Sequence, residues 1–147
     1  MPVISSRYES SGPILDFWVG VSEPRRRLLE SIGLPVPPAL RLPFIIDTGA
    51  DTTMVNDQHM RTLGIPPRGR RDIVTSSTEA GTPSWCETYD ISLMLVREGD
   101  DPFVITALEA FGRPLYGGSI EGMIGRDVLS RLTLGVEGRS NRFRLKY

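Results

Sequence analysis

Short apolar segments recur along the whole chain, and glycine, proline or charged residues separate them. β-Branched and aromatic residues are frequent in these segments, which have the length of strands rather than of long helices. Strands are therefore predicted at 14–21, 42–46, 84–96, 103–108, 132–136 and 143–147. Many short strands joined by glycine- and proline-rich turns indicate an all-β barrel or sandwich.

Two hairpins are predicted among these segments. One closes the chain, because a turn at 138–141 separates the last two strands. The other pairs 73–75 with the strand at 84–96 and has a tip at 76–83, where small and polar residues suit a mobile loop. Helical structure is limited to two short elements, a helix or turn at 56–63 and a helix at 127–132.

Segment 22–41 differs from the rest of the chain, because it combines a run of three arginines with Pro35, Pro37 and Pro38. This proline density predicts neither a regular helix nor a central strand, beyond one helical turn at 27–32. Too little chain precedes the segment to fold alone. We interpret it as an insertion loop between two strands of a single domain that spans residues 1–147.

Composition narrows the classes of function. The 147 residues carry a net charge of −1, which offers no electrostatic case for binding nucleic acid or an anionic membrane. One cysteine, Cys86, rules out an internal disulfide, and we expect it to pack in or beside a strand. With His59 as the single histidine, soft ligands are too few for structural zinc, so no metal and no cofactor are expected.

The apolar pattern also bears on the compartment. No apolar run approaches the roughly 20 residues of a membrane span. Residues 1–12 lack the basic-then-apolar layout of a secretory signal. We therefore expect a cytoplasmic protein.

The most informative stretch is the predicted strand at 42–46 and the Asp-Thr-Gly-Ala-Asp motif that follows it at 47–51. The strand delivers Asp47 to a tight loop. Gly49 allows the backbone to approach closely there and to adopt positive φ if required. The hydroxyl of Thr48 can tie this loop to a neighbouring loop.

A second motif lies far downstream, where Met-Ile-Gly-Arg-Asp-Val-Leu at 123–129 places two apolar residues before Gly125 and opens a short helix. The two motifs, in this order and with the hairpin between them, resemble the retropepsin family of retroviral-type aspartic proteases. The resemblance covers nearly the whole chain. It implies a single-lobe acid-protease barrel, all-β, with a flap hairpin and one short C-terminal helix. It also implies an aspartic endopeptidase that acts on a polypeptide substrate.

The same resemblance implies roles for the residues of the first motif. Asp47 would be the catalytic aspartate, and Thr48 would make the hydrogen bonds that lock two active-site loops across a dimer axis. Gly49 would contact the main chain of the substrate, and Ala50 would complete the supporting loop. Asp51 would bind the peptide backbone at the rim of the site.

Three further positions receive roles in this way. Arg126 would pair with Asp51 and hold it in place, next to Gly125, where the short helix starts. Gly81, at the flap tip, would contact the substrate. An alternative stays open, in which Asp51 and Arg126 are ordinary surface charges. Asp127 is interpreted as a simple helix-start residue.

Chemistry explains why one Asp47 is not enough. Metal-free hydrolysis without a covalent intermediate needs one group to accept a proton from water and another to protonate the substrate. Two close carboxylates that share one proton do both. The chain has a single Asp-Thr-Gly motif and is far too short for two lobes. A symmetric homodimer with Asp47 contributed twice is therefore predicted.

Two further expectations concern activity. Ala50 stands where pepsin-like sites commonly carry a hydroxyl that stabilises the ionised carboxylate, so we expect activity at weakly acidic to neutral pH. The long 22–41 segment and a flap tip with Gly81 as its one glycine leave an alternative open. In that alternative the chain is a dimerisation or peptide-binding module with little catalysis. A further alternative is a domain excised from a longer protein.

Overall fold

A computed structural model describes residues 1–8, 10–75, 84–116 and 118–147. The strands of this part of the chain are β1 (Val3–Arg7), β2 (Ile14–Val21), β3 (Leu40–Ile46), β4 (Met54–Asn56), β5 (Gly69–Asp72), β6 (Trp85–Leu95), β7 (Phe103–Arg113), β8 (Gly122–Ile124), β9 (Thr133–Glu137) and β10 (Arg142–Lys146). The helices are α1 (Glu23–Ser31), α2 (Gln58–Thr62) and α3 (Arg126–Leu129), and a 3₁₀ turn spans Gly138–Ser140.

Six strands close into a barrel in the order β2-β3-β8-β4-β7-β6, with β6 pairing back to β2. The β3–β8 and β4–β7 pairs are parallel, and the other pairs of the barrel are antiparallel. Parallel neighbours end at the same edge of a sheet. The loops that follow β3 and β8 therefore meet at one end of the barrel, although about 80 residues separate them in sequence.

Alternating side chains of these strands fill the barrel. Leu42, Phe44 and Ile46 of β3 point inward, and Phe44 meets Phe17 of β2 edge to face with ring centroids 5.7 Å apart. Burial of one such ring contributes about 2–3 kcal/mol. A Cβ at Gly122 would lie 2.1 Å from the Phe44 ring, so β8 passes this ring only because it carries a glycine there.

A second sheet, β1-β10-β9, packs against the same core through Phe143 and Leu145 of β10. The hairpin from β9 to β10 confirms the predicted closing hairpin, and Asn141 completes its turn with φ 51°. The sequence pattern did not predict β1, because only two of its five residues are apolar, the adjacent Val3 and Ile4. Pairing with β10 rather than local propensity makes this segment a strand.

The expectation of no regular helix in segment 22–41 is wrong, because α1 occupies Glu23–Ser31. Pro24 lies in the first turn, where a helix needs no backbone N–H donor from it. Arg26 bridges Glu23 and Glu30 at 2.6 and 3.0 Å, pairs that fit helical spacing. Pro35, Pro37 and Pro38 all follow the helix and lie before β3, so they end it rather than prevent it.

The predicted flap hairpin is present, but its first arm begins earlier than expected. β5 pairs with β6 over Gly69–Asp72, and segment 73–75 continues beyond the strand, where the Ile73 N–H donates to the Ser84 carbonyl at 2.9 Å. The tip at 76–83, including Gly81, lies outside the described residues. In the described ranges, no helix has both the length and the apolar character needed to cross a membrane.

Candidate active site

Asp47 follows β3 directly and stands where β3 and β8 both end. The parallel register sets Ile46 beside Ile124, and the Asp47 N–H donates to the Ile124 carbonyl at 3.0 Å. The Gly49 N–H donates to Asp47 Oδ1 at 2.8 Å. A Cβ at Gly49 would lie 3.1 Å from the same oxygen, so glycine leaves room for this contact. The half-buried carboxylate is thus oriented by the backbone of its own loop.

The rest of the Asp47 loop is tied to the start of α3 by its carbonyl oxygens. The N–H groups of Arg126 and Asp127 donate to the carbonyls of Ala50 at 2.9 Å and Asp51 at 3.3 Å. Arg126 Nη1 donates to the carbonyl of Thr48 at 3.0 Å. These hydrogen bonds hold the two motifs of the sequence against each other.

The predicted ion pair between Asp51 and Arg126 is not formed within the part of this single chain that the structure describes. Both residues are exposed, and the guanidinium is directed to the Thr48 carbonyl instead. The backbone bond to Ala50 holds Arg126 close under the loop, which brings the Thr48 oxygen within its reach. Arg126 does link the two motifs, but through the backbone of the loop rather than through Asp51.

A buried hydrogen-bond network lies directly behind the loop. Thr53, which is 0% exposed, donates its hydroxyl to Asp127 Oδ1 at 2.7 Å and accepts from the Gly125 N–H at 3.1 Å. The Thr53 N–H donates to Asp127 Oδ2 at 3.0 Å. Asp127 also accepts from the Val128 N–H at 2.9 Å, as expected of a residue at a helix start. The interpretation of Asp127 as a simple helix-start residue is incomplete, because its carboxylate also joins the start of β4 to α3.

Replacing Thr53 with valine should lower the free energy of unfolding by about 2 kcal/mol, because a buried acceptor and donor lose their partner while the shape is kept. Urea denaturation of both proteins measures the difference. Thr106→Val, at an exposed position of β7, is the matched control and should change little. Equal stability of the two variants would show that the network does not stabilise the loop.

Asp47 lies in an open cleft of about 1010 Å³ at this end of the barrel. Gly49, Ala50 and Asp51 line it with Asp47, as does Arg126 on the other motif. The remaining lining residues are Thr52, Met54, the Asp72–Thr75 arm of the hairpin, Phe111, Arg113 and Met123. Of the predicted site residues, Thr48 and Gly125 support the loop from outside the cleft, and Gly81 is not described.

Sequence reasoning missed three residues of this site, namely Thr53, Asp127 and Arg113. Thr53 follows Thr52, and nothing in the sequence distinguishes the buried threonine from the one in the cleft. Arg113 ends a strand that was predicted to stop at residue 108 and in fact continues to 113. Strand length alone would not have placed Arg113 in the cleft, because its position relative to Asp47 depends on the pairing of β7 with β4 and of β4 with β8.

A polar cluster also anchors the segment that leads into β8. Glu121 accepts from Asn56 Nδ2 at 2.8 Å and lies 2.9 Å from His59 Nε2. Burial acts to raise the pKa of Glu121, but the hydrogen bonds from His59 and Asn56 prevail and hold it below its usual value. His59 therefore has a partner in Glu121, and the contact ties α2 to the segment that precedes β8.

Cys86 is buried on β6, which confirms the expectation that it packs within a strand. Burial raises the pKa of the Cys86 thiol, although the nearby charge of Arg113 acts in the opposite direction. A thiol of this kind is a poor nucleophile at neutral pH. Across residues 1–8, 10–75, 84–116 and 118–147, no cluster of three or more His, Cys, Asp or Glu side chains is arranged to hold a metal ion.

The architecture matches known structures. A crystal structure of a retropepsin-like aspartic protease from Rickettsia conorii superposes with a TM-score of 0.59, covering 99% of this chain and 91% of that chain at 14% identity. EIAV protease complexed with the inhibitor HBY-793 gives a TM-score of 0.43 at 19% identity, over 86% of this chain and 93% of that chain. No family model and no curated protein sequence matches the chain. The first of these structures confirms the predicted retropepsin-like, all-β single-lobe fold.

Proposed function

We propose that the protein is an aspartic endopeptidase whose active site forms between two copies of the chain, each contributing Asp47. The observation that carries the proposal is the placement of Asp47 in the lining of a large cleft, on a loop held by two motifs of a retropepsin-like fold. A polypeptide is the substrate class that fits a large, open cleft bordered by one arm of a β-hairpin.

The proposed reaction uses the two carboxylates as an acid and a base. Two Asp47 side chains about 3 Å apart cannot both ionise, so the pair retains one proton at the working pH. The ionised member accepts a proton from water as the water attacks the scissile carbonyl carbon. The protonated member donates its proton to the carbonyl oxygen, which gives a tetrahedral diol. As the diol collapses, the departing amine takes the proton that was accepted from water, and one diol hydroxyl returns a proton to the pair.

The environment of the loop supports this chemistry. The Gly49 N–H donates to Asp47 Oδ1, which sets the direction of the carboxylate before substrate binds. Ala50 lines the cleft next to Asp47 and carries no hydroxyl, so this position offers no further hydrogen bond to the ionised form. We accordingly place the activity at weakly acidic to neutral pH. Thr48 is exposed, which leaves its side chain available for contact with the second copy.

A subunit-mixing experiment tests the shared site. Asp47→Asn chains are mixed and equilibrated with wild-type chains, and cleavage of an unfolded protein is followed at constant total concentration. If one active site needs two Asp47 residues, an equal mixture should retain roughly a quarter of the activity, because only pairs of wild-type chains work.

The dependence on mixing ratio separates the models. Activity that falls with the square of the wild-type fraction supports the dimeric dyad. Activity that falls in direct proportion to that fraction would show that each chain acts alone, and the proposed dyad would then be wrong. An affinity tag on the Asp47→Asn chains, which should retain untagged wild-type chains, confirms that chains have exchanged.

A further inference from the structure

Arg113 is the last residue of β7 and lines the same cleft as Asp47. Its position is fixed by the backbone, since it pairs with Asn56 in the parallel β4–β7 register and its carbonyl accepts the Asp57 N–H at 3.2 Å. The residue is half-buried. A charged side chain therefore stands on a rigid strand in the wall of the cleft.

The guanidinium of Arg113 forms no ion pair and no side-chain hydrogen bond with any residue that the structure describes. Neighbouring arginines differ in this respect. Arg68 and Arg71 both pair with Glu109, and Arg126 donates to the Thr48 carbonyl. Partial burial of a cation is unfavourable unless a partner compensates for the lost water. Arg113 thus has donors to offer a ligand in the cleft.

Apolar side chains surround this part of the wall. Phe111 precedes Arg113 by two residues and so shares its face of β7. Met54 pairs in register with both Phe111 and Met123, which brings the three side chains together across neighbouring strands. All three are half-buried and line the cleft. An apolar wall lowers the local dielectric and strengthens a contact between Arg113 and a carboxylate.

The cleft also holds Asp47, Asp51, Asp72 and Arg126. The last three are exposed, so water and salt screen them, and exposed pairs contribute little to binding. Asp47 is half-buried like Arg113, but in the proposed reaction it faces the scissile bond. Arg113 is then the half-buried charge that a side chain of a bound peptide would meet. Recognition by charge in this part of the cleft consequently favours an anionic group.

We propose that Arg113 forms a subsite of the cleft that binds an acidic side chain, Asp or Glu, of the polypeptide substrate. The inference rests on the proposed peptidase function and deepens it by naming a substrate preference. The guanidinium supplies two parallel N–H donors to the carboxylate, and the Met54, Phe111 and Met123 side chains enclose the methylene groups of the ligand.

Cleavage-site profiling tests the preference. Denatured proteins of known sequence are digested by wild type, Arg113→Gln, Arg113→Lys and the control Arg139→Gln, which alters an exposed arginine outside the cleft. Wild type and Arg139→Gln should show Asp or Glu enriched at one fixed position relative to the cleaved bond. Arg113→Gln should lose the enrichment, and Arg113→Lys should keep part of it because the charge remains.

A matched peptide pair then measures the size of the effect. The two peptides carry a preferred cleavage sequence and differ only by Glu or Gln at the enriched position. Arg113→Gln should lower kcat/KM for the Glu peptide about tenfold, equivalent to about 1.4 kcal/mol. Cleavage of the Gln peptide should change less than about twofold. Equal losses for both peptides, or no acidic enrichment by wild type, would overturn the proposal.

A binding measurement separates this proposal from the proposed activity. A tryptic digest is passed over immobilised Asp47→Asn protein, and retained peptides are compared with those retained by the Asp47→Asn/Arg113→Gln double variant. Acidic peptides enriched by the first and not by the second support the subsite, even if wild type shows no Asp47-dependent cleavage. Identical retained sets would reject the subsite while leaving the cleavage result to decide the peptidase function.

Discussion

Asp47→Asn should reduce hydrolysis of an unfolded protein substrate by at least about a thousandfold. The substitution keeps the size of the side chain but removes the group that accepts a proton from water, and acid–base catalysis commonly contributes factors of about 10² to 10⁴. Loss of both proposed carboxylates from the dimer removes the acid as well as the base. Release of peptides, quantified by mass spectrometry at several values between pH 4 and about pH 8, is the measurement.

The control for this experiment is Asp101→Asn, an exposed aspartate in the turn between β6 and β7. It should cleave the substrate as wild type does, which would show that loss of one negative charge does not by itself reduce activity. Urea denaturation should give Asp47→Asn and wild type similar stability, because the Asp47 carboxylate makes its contact with Gly49 at the surface of the loop. Equal peptide release by Asp47→Asn and wild type would show that the chain is no aspartic peptidase.

Absence of cleavage by every variant has a distinct meaning. The fold and the cleft would then serve to bind a peptide or to dimerise, which is the alternative that the sequence leaves open. Retention of peptides by the wild-type protein would distinguish such a module from an inactive preparation. The intact arrangement of Asp47 and Gly49 favours catalysis, because binding alone requires no oriented carboxylate in the lining of the cleft.

Gly125→Ala should lower the free energy of unfolding by about 3 kcal/mol and remove most of the activity. A Cβ at Gly125 would lie 2.6 Å from the carbonyl carbon of Thr52 and 2.8 Å from its oxygen. Those atoms belong to backbone that is held by the Thr53–Asp127 network, so the strain cannot be relieved by rotating a side chain. Displacement of the loop would also move Asp47, and small displacements of catalytic groups are costly.

Gly138→Ala is the matched control, because a Cβ there meets nothing within 4 Å. It should leave stability nearly unchanged or raise it slightly by restricting the unfolded chain. Denaturation curves and peptide release are measured for both variants in parallel. If Gly125→Ala were as stable and as active as Gly138→Ala, close packing of the two motifs would not be what positions Asp47.

Much of the fold is encoded locally. Apolar segments of strand length, glycine and proline between them, and a tight turn before Phe143 predict β2, β3, β6, most of β7 and the closing hairpin. The three-residue strands β4 and β8 of the barrel were not predicted, because so short a segment carries no periodicity. The Asp47 motif and the Gly125 motif are each contiguous, so each can be recognised from the sequence alone. Proline content misled at 22–41, because Pro35, Pro37 and Pro38 all follow α1 and Pro24 lies in its first turn, where it is tolerated.

Asp47 on a tight strand-end loop, with Gly49 beside it and a second glycine motif downstream, is what the sequence by itself determined. The tertiary structure alone decided which partners these residues meet. Parallel pairing of β3 with β8 brings the two motifs together, so that Thr53 meets Asp127 across 74 positions and Arg126 turns to the Thr48 carbonyl instead of Asp51. Pairing of β7 with β4 places Arg113 in the cleft. Local sequence patterns specify the periodicity of strands and the positions of turns, whereas contacts between side chains depend on which strands become neighbours in the sheet.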